Sequence, residues 1–394
     1  MSKTLRLAFW PVAMALMLGF FGCRDKRPHS DGVALSYQAG APVKTASPEW
    51  QIVLRAGEGE APIGVPTAGA VCEKDIFLSD MRNRAVHRFS LMDGSHLGMI
   101  GQSADKIERM ASPESLAVDC ERGELYVSDH RLMFRFDVAT GELKSRVPRP
   151  KSLGPAVGTA LLTEDSIIIP GHFAADVAAW KHRAPSFALA GANIGFRLRR
   201  DGQGDGSPLL PIVEPQCRSM SPDICLRAAI DIDRRHDKWL ACQAGATTVG
   251  IFSVDGEVLK RIDVRSPLFR HDGTTLAPGD PIPDRVRWLQ RNSIIHSCGF
   301  FDDYVATTHV VYEPGEWMPG KAMTPQVYLN VHRLDGTPVL SDLRLPDRAM
   351  ASDGHSLYVA SPGANRATNG GSELTLYRFR VTMDDGALNQ QLGS

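Results

Sequence analysis

The sequence holds no His-Glu-x-x-His, no Cys-x-x-Cys and no Gly-x-Ser-x-Gly. Those absences remove the usual zinc-protease, zinc or dithiol, and α/β-hydrolase signatures. Charge of one sign is lacking too, since 44 Lys and Arg stand against 45 Asp and Glu. Such a balance gives no electrostatic reason to seek nucleic acid. Long apolar runs are also missing: the best, Leu7 to Phe21, falls short of the roughly 17 to 25 residues of a spanning helix and contains Pro11.

What that run does have is Lys3 and Arg6 before it and Gly22 after it. This is the layout of a secretory signal peptide, residues 1–22. Phe20-Phe21-Gly22-Cys23 resembles the lipobox of bacterial lipoproteins, which implies acylation of Cys23. The protein would then be exported and held by a lipid anchor on a membrane of the bacterial envelope, facing the periplasm or cell surface. Residues 23–47 are rich in Pro, Ala, Ser and charge without a period, and read as a flexible tether.

Six cysteines follow Cys23, and six allow fifteen pairings. Only Cys217 and Cys225 are close in sequence, in CRSMSPDIC, and they are the disulfide candidate. A bridge there would contribute about 2.5 kcal/mol. At least two of the other four are expected to be buried free thiols.

The stretch DIFLSDMRNRAVHRFSLMDG returns as ELYVSDHRLMFRFDVATG, with 49 residues from Asp80 to Asp129. Two strand-like runs joined by a polar tip, repeating at about 40 to 50 residues, describe a β-propeller blade of four antiparallel strands, A to D. The turn between strands C and D gives an independent count, because Asp-Gly or its equivalent supplies positive φ. It occurs at Asp93-Gly94, Thr140-Gly141, Asp201-Gly202, Asp255-Gly256, Asp335-Gly336 and Asp385-Gly386. Residues 48–394 are therefore read as an all-β, six-bladed propeller. A ring must close, and the tail after Gly386 is too polar to do it. Trp50 to Ala56 is expected to supply strand D of the last blade.

IFLSDMRNRAVHRF and SPESLAVDCERGELYVSD are similar to NHL repeats, and the region from Pro48 to Val381 resembles the six-bladed TolB-like propellers of bacterial envelope proteins. The resemblance implies a fold, not an activity.

In a propeller the B-to-C and D-to-A connections share one face. Nearly every long insertion falls in these: 171–193, 214–226, 266–283, 310–324 and 362–371. Long loops in a compact domain usually bind or catalyse. The candidate ligand or partner face therefore carries His172, Trp180, His182, Arg183, Arg270, His309, Trp317 and Arg366. Asp80 and Asp129 both end strand B, and that recurrence points to ordering of the following turn rather than to acid–base chemistry. DGQGDGS, from Asp201, opens like a calcium loop but has Ile212 where the bidentate Glu belongs.

Enzymatic six-bladed propellers of the gluconolactonase-like and paraoxonase-like families hold a metal with Glu, Asp and Asn at the starts of the inner strands. Here those starts are expected near Thr67, Glu114-Ser115, Val157-Gly158, Arg227-Ala228, Arg285-Arg287 and Arg348-Met350. One carboxylate among arginines favours an anion. No metal or other cofactor is implied. The reading is an envelope-anchored binding or assembly module for a protein partner or an anionic small molecule. The alternative is a hydrolase or lyase of an extracellular sugar, lactone or peptide.

Overall fold

The structure, a computed structural model, describes residues 46–56, 63–64, 66–102, 110–149, 158–173, 193–202, 206–211, 228–233, 236–274, 276, 280–313, 323, 325–362 and 373–381. After β1 (Trp50–Arg55), blade one comprises β2 (Pro66–Cys72), β3 (Asp75–Asp80), β4 (Ala85–Ser90) and β5 (His96–Ile100). Blade two comprises β6 (Ser115–Asp119), β7 (Glu124–Ser128), β8 (Leu132–Asp137) and β9 (Leu143–Pro148), with the short β10 (Gly158–Thr159) on its inner edge. Blade three is β11 (Leu161–Leu162), β12 (Ser166–Phe173), β13 (Asn193–Arg199) and β14 (Ser207–Pro208). Blade four is β15 (Ala228–Asp233), β16 (Lys238–Gln243), β17 (Thr248–Ser253) and β18 (Val258–Asp263). Blade five is β19 (Ile294–Phe301), β20 (Tyr304–Tyr312), β21 (Pro325–Arg333) and β22 (Pro338–Leu345). Blade six joins β23 (Ala349–Ser352), β24 (Ser356–Pro362) and β25 (Glu373–Arg380) to β1.

Sequence pattern explains which strand sits where. DIFLSD of β3 is buried at every position, because a middle strand has a neighbouring blade against each face. LKSRVP of β9 alternates between half-buried and exposed, as a rim strand with water on one side must. Leu125, Val127 and Phe134 of blade two pack with Phe77 and Val86 of blade one, and comparable clusters fill the other blade interfaces.

The ring is closed as expected. β1 pairs antiparallel with β25 from Trp50↔Arg378 to Arg55↔Glu373, and Leu54 is wholly buried among Leu374, Leu376 and Ile76. The C-to-D glycines at 94, 141, 202, 256 and 336 have φ of 76°, 73°, 73°, 86° and 91°. Asp385-Gly386 lies outside the described residues. A Cβ on Gly94 would stand 2.6 Å from the Val53 carbonyl oxygen, so this turn abuts the closing strand.

Three features depart from the sequence reading. Arg285–Arg287 do not begin the inner strand of blade five; they belong to helix α1 (Ile282–Arg291), and β19 starts at Ile294. Pro283 in the first turn, Asp284 near the N-terminus and Arg291 in the last turn all suit a helix there. Its buried Val286 and Trp288 fasten it, with Trp288 Nε1 donating to the Thr274 carbonyl at 3.0 Å. Gly158 does not begin the inner strand of blade three but pairs in parallel with Ser115 of β6. Finally, Cys72 and Cys120 form a disulfide, with Cα atoms 5.5 Å apart, that ties the inner strand of blade one to that of blade two. Cys242 and Cys298 are free, while Cys217 and Cys225 lie outside the described residues.

No helix among the described residues is long and apolar enough to cross a membrane.

Candidate functional site

The inner strands surround an axial cavity of about 160 Å³. β10 enters the axis from the side of blades one and two, where the Thr159 hydroxyl donates to the Gly69 carbonyl at 2.9 Å. The open space is thereby pushed against blades four, five and six, whose Ala228, Ile230, Ile295, Ala306, Val310 and Ala349 give it apolar walls. Three of the inner strands carry a register irregularity, between Pro66 and Gly69, between Ile295 and Ser297, and between Ala349 and Ala351. Such bulges re-aim side chains. The residues at them, Thr67, His296 and Met350, all line the cavity.

At the end of the cavity facing the long connections stands Arg348. Its Nη2 donates to Tyr312 Oη at 3.2 Å, while its buried Nε has no hydrogen-bond partner among the described residues. Among the described residues no carboxylate accepts from this guanidinium, although the Arg348 backbone N–H donates to the neighbouring Asp347 carboxylate at 2.7 Å. Glu114, the carboxylate expected at the strand starts, is already spent: Arg149 Nη1 donates to its Oε2 at 2.9 Å, with both residues buried. Lower in the cavity, Asp231 is held by the backbone N–H groups of Phe300 at 2.7 Å and Ile232 at 2.8 Å. Ser297 Oγ lies 2.6 Å from Thr308 Oγ1, so this hydroxyl pairs with another hydroxyl rather than with a base. Among the described residues no group of three or more His, Cys, Asp or Glu side chains could hold a metal ion. The chemistry on offer is a guanidinium and a phenol above a mainly apolar chamber that also carries the Asp231 carboxylate, the His296 imidazole, a few hydroxyls and one thiol, Cys298.

The two aspartates that close strand B order the turns beside this mouth. Asp80 Oδ1 accepts from the backbone N–H of Arg82 at 2.9 Å and Asn83 at 3.0 Å, and its Oδ2 from that of Gly64 at 2.7 Å. Asp129 repeats the arrangement with Arg131 and Leu132, both at 2.7 Å, and with Ala111 at 3.0 Å. In each blade one oxygen caps the B-to-C turn and the other ties down the incoming D-to-A connection. Burial opposes ionisation of Asp80, but the hydrogen bond from His87 and those from Gly64 and Asn83 outweigh it and hold the carboxyl at about 2. A carboxyl lowered in the folded state stabilises the fold above its unfolded pKa, and that contribution fades as pH falls from about 4 through about 2. Asp80→Asn is therefore expected to lose about 2 kcal/mol at pH 7. Denaturant midpoints of the two proteins should draw together as the series is repeated from about pH 4 downward and converge only below about pH 2.

Of the residues proposed from sequence, two are described with their side chains. Arg270 is near the mouth but occupied: its Nη1 donates to the carbonyls of Gln290 at 3.1 Å and Tyr312 at 2.9 Å, fixing α1 to blade five. His309 is not on the loop face at all. It lies within β20, 1% exposed, between Phe269 and the stacked Tyr328 ring, with Nδ1 3.2 Å from Asn330 Nδ2. Burial pushes its pKa down to about 3, so it is a neutral core histidine. The continuous burial of ATTHVV marks a middle strand that runs past Thr308 and takes His309 with it. His172 is in β12, near its end, and its side chain lies outside the described set, as do residues Cys23, Trp180, His182, Arg183, Trp317 and Arg366. Arg348 and Tyr312 escaped attention because neither belongs to a motif. Arg348 was visible only as a strand start, and Tyr312 as the last residue of a run.

No family model matches the chain, and no curated protein matches it. Solved structures do. A member of the DUF4221 family from Bacteroides vulgatus superposes with a TM-score of 0.60 at 9% identity, covering 85% of this chain and 97% of that one. A gluconolactonase from Xanthomonas campestris gives 0.46 at 14% identity, covering 86% and 98%. The calcium-binding protein regucalcin from Agrobacterium tumefaciens gives 0.47 at 10%, covering 87% and 98%. At these identities the likeness is one of fold.

Proposed function

We propose that the protein is an exported, lipid-anchored propeller that binds a small carboxylate at the loop-side end of its axial cavity. The carrying observation is that Arg348 lines the mainly apolar chamber beside Tyr312, with its buried Nε unmatched among the described residues. A guanidinium offers a carboxylate two parallel N–H donors, and a desolvated position makes each hydrogen bond count for more. The apolar walls suit a compact hydrocarbon body, since a cavity of about 150 Å³ accommodates a benzene ring. The signal-like run ahead of Cys23 and the NHL-like cadence support placement in the envelope.

Benzoate and hexanoate, compared with benzamide and hexanamide, test the reading by calorimetry on the purified protein. The acids should bind and the amides should not. Arg348→Gln should weaken the acids by about 10- to 100-fold, the worth of one charge-assisted pair. Equal binding of acids and amides, no binding by any acid, or an unchanged affinity in Arg348→Gln would defeat it.

A further inference from the structure

Cys242 is fully buried on β16, in blade four, and Cys298 lies on β19, in blade five, where it forms part of the cavity wall. The two strands belong to different sheets, yet they pack together at this point: Cys298 Sγ donates to the Ala229 carbonyl at 3.5 Å, and Ala229 is the cross-strand partner of Cys242. The observed Cys72–Cys120 disulfide likewise joins adjacent blades close to the axis. We infer that Cys242 and Cys298 are a second interblade disulfide site, closed by thiol–disulfide exchange when the chain folds in the presence of a disulfide oxidant.

The exchange balances without any other reactant. One cysteine thiolate attacks the oxidant's S–S bond and releases one oxidant thiolate. The second cysteine then attacks the mixed disulfide, forms the protein S–S bond and releases the other. The two cysteines are oxidised, the oxidant is reduced to two thiols, and the two protons end on those thiols. Burial, followed by the hydrogen bond to Cys242, pushes the Cys298 thiol well up. Only the thiolate attacks, so closure is fast while blades four and five are docking and slow once they have docked. Carboxylate binding at Arg348 does not enter this inference, and either can fail without the other.

The test refolds the full, reduced and denatured chain in an oxidised and reduced glutathione buffer, traps free thiols by alkylation and maps the peptides by mass spectrometry. Formation of Cys72–Cys120 in the same sample certifies that the oxidant worked. The expected result is a peptide pair joined through Cys242 and Cys298, loss of alkylation at both of these cysteines beyond the two consumed by Cys72–Cys120, and loss of the pair in Cys298→Ser with Cys242 then fully alkylated. The same oxidant added to the folded reduced protein should close the bridge at least 10-fold more slowly. Recovery of Cys242 and Cys298 as alkylated thiols beside an intact Cys72–Cys120, or their pairing with Cys217 or Cys225, overturns the inference.

Discussion

Deleting residues 49–57 is expected to abolish soluble, cooperatively folding protein. The deletion removes β1 and with it the register from Trp50↔Arg378 to Arg55↔Glu373, leaving β25 an open edge. Leu54 alone, at 0% exposure, contributes about 1.5 to 3 kcal/mol by burial. Several interstrand hydrogen bonds add about 0.5 to 1.5 kcal/mol each. Together these approach the whole stability of an ordinary domain, about 5 to 15 kcal/mol, and an unpaired edge invites aggregation besides. A milder pair of variants separates closure from general damage. Leu54→Ala should cost about 2 to 5 kcal/mol, whereas Val53→Ala, on the same strand but 39% exposed, should cost less than about 1 kcal/mol. Urea midpoints of the two give the comparison, and a soluble, cooperatively melting deletion product would show that the strand is dispensable.

Loss of the Cys72–Cys120 disulfide is the second large effect. The bond spans 48 residues, one blade repeat. Closing a loop of that length restricts the unfolded chain by about 4 kcal/mol on the chain-entropy argument. Cys72→Ala with Cys120→Ala should therefore lower unfolding stability by about 3 to 4 kcal/mol, and dithiothreitol should lower the midpoint of the unmutated protein by at least as much. Chevron analysis should place part of the change in a slower folding limb, because docking of blades one and two then proceeds without its tether. A change under about 1 kcal/mol would mean that unfolded-state restriction is not what the bond supplies.

The fold was legible because it is local and repeated. Blades one and two announce themselves through an Asp closing or following strand B, and five of the six C-to-D turns through a glycine at positive φ, and none of these depends on what lies across the ring. Sequence reading failed where the repeat is interrupted. The 30 residues between β18 and β19 contain α1, and an inserted helix of this kind breaks the blade spacing on which a strand start at Arg285–Arg287 would depend. Gly158–Thr159 look like a strand start, and only the three-dimensional path shows them crossing into the axis. The Cys72–Cys120 bond was recoverable in principle: AGAVC and LAVDC end equivalent strands one repeat apart. Proximity in sequence favoured Cys217 and Cys225 instead. The site was least legible, since a ring assembles it from single residues of several blades, and Arg348, Tyr312 and His296 share no spacing that a linear pattern could betray.

The closed ring fixes that whole arrangement, and a cross-link across its seam tests it most directly. Val53 and Thr375 are register partners on β1 and β25. Antiparallel partners sit about 4.5 to 5.5 Å apart at Cα, within the span a disulfide accepts. Val53→Cys with Thr375→Cys should give, on mild oxidation of the folded monomer, a near-quantitative peptide pair joining positions 53 and 375. Val53→Cys with Leu374→Cys, whose side chain points to the opposite face of β25, should give almost none. A cross-link found only in dimers, or equal yields from the two variants, would contradict a wheel fastened by its own N-terminal strand.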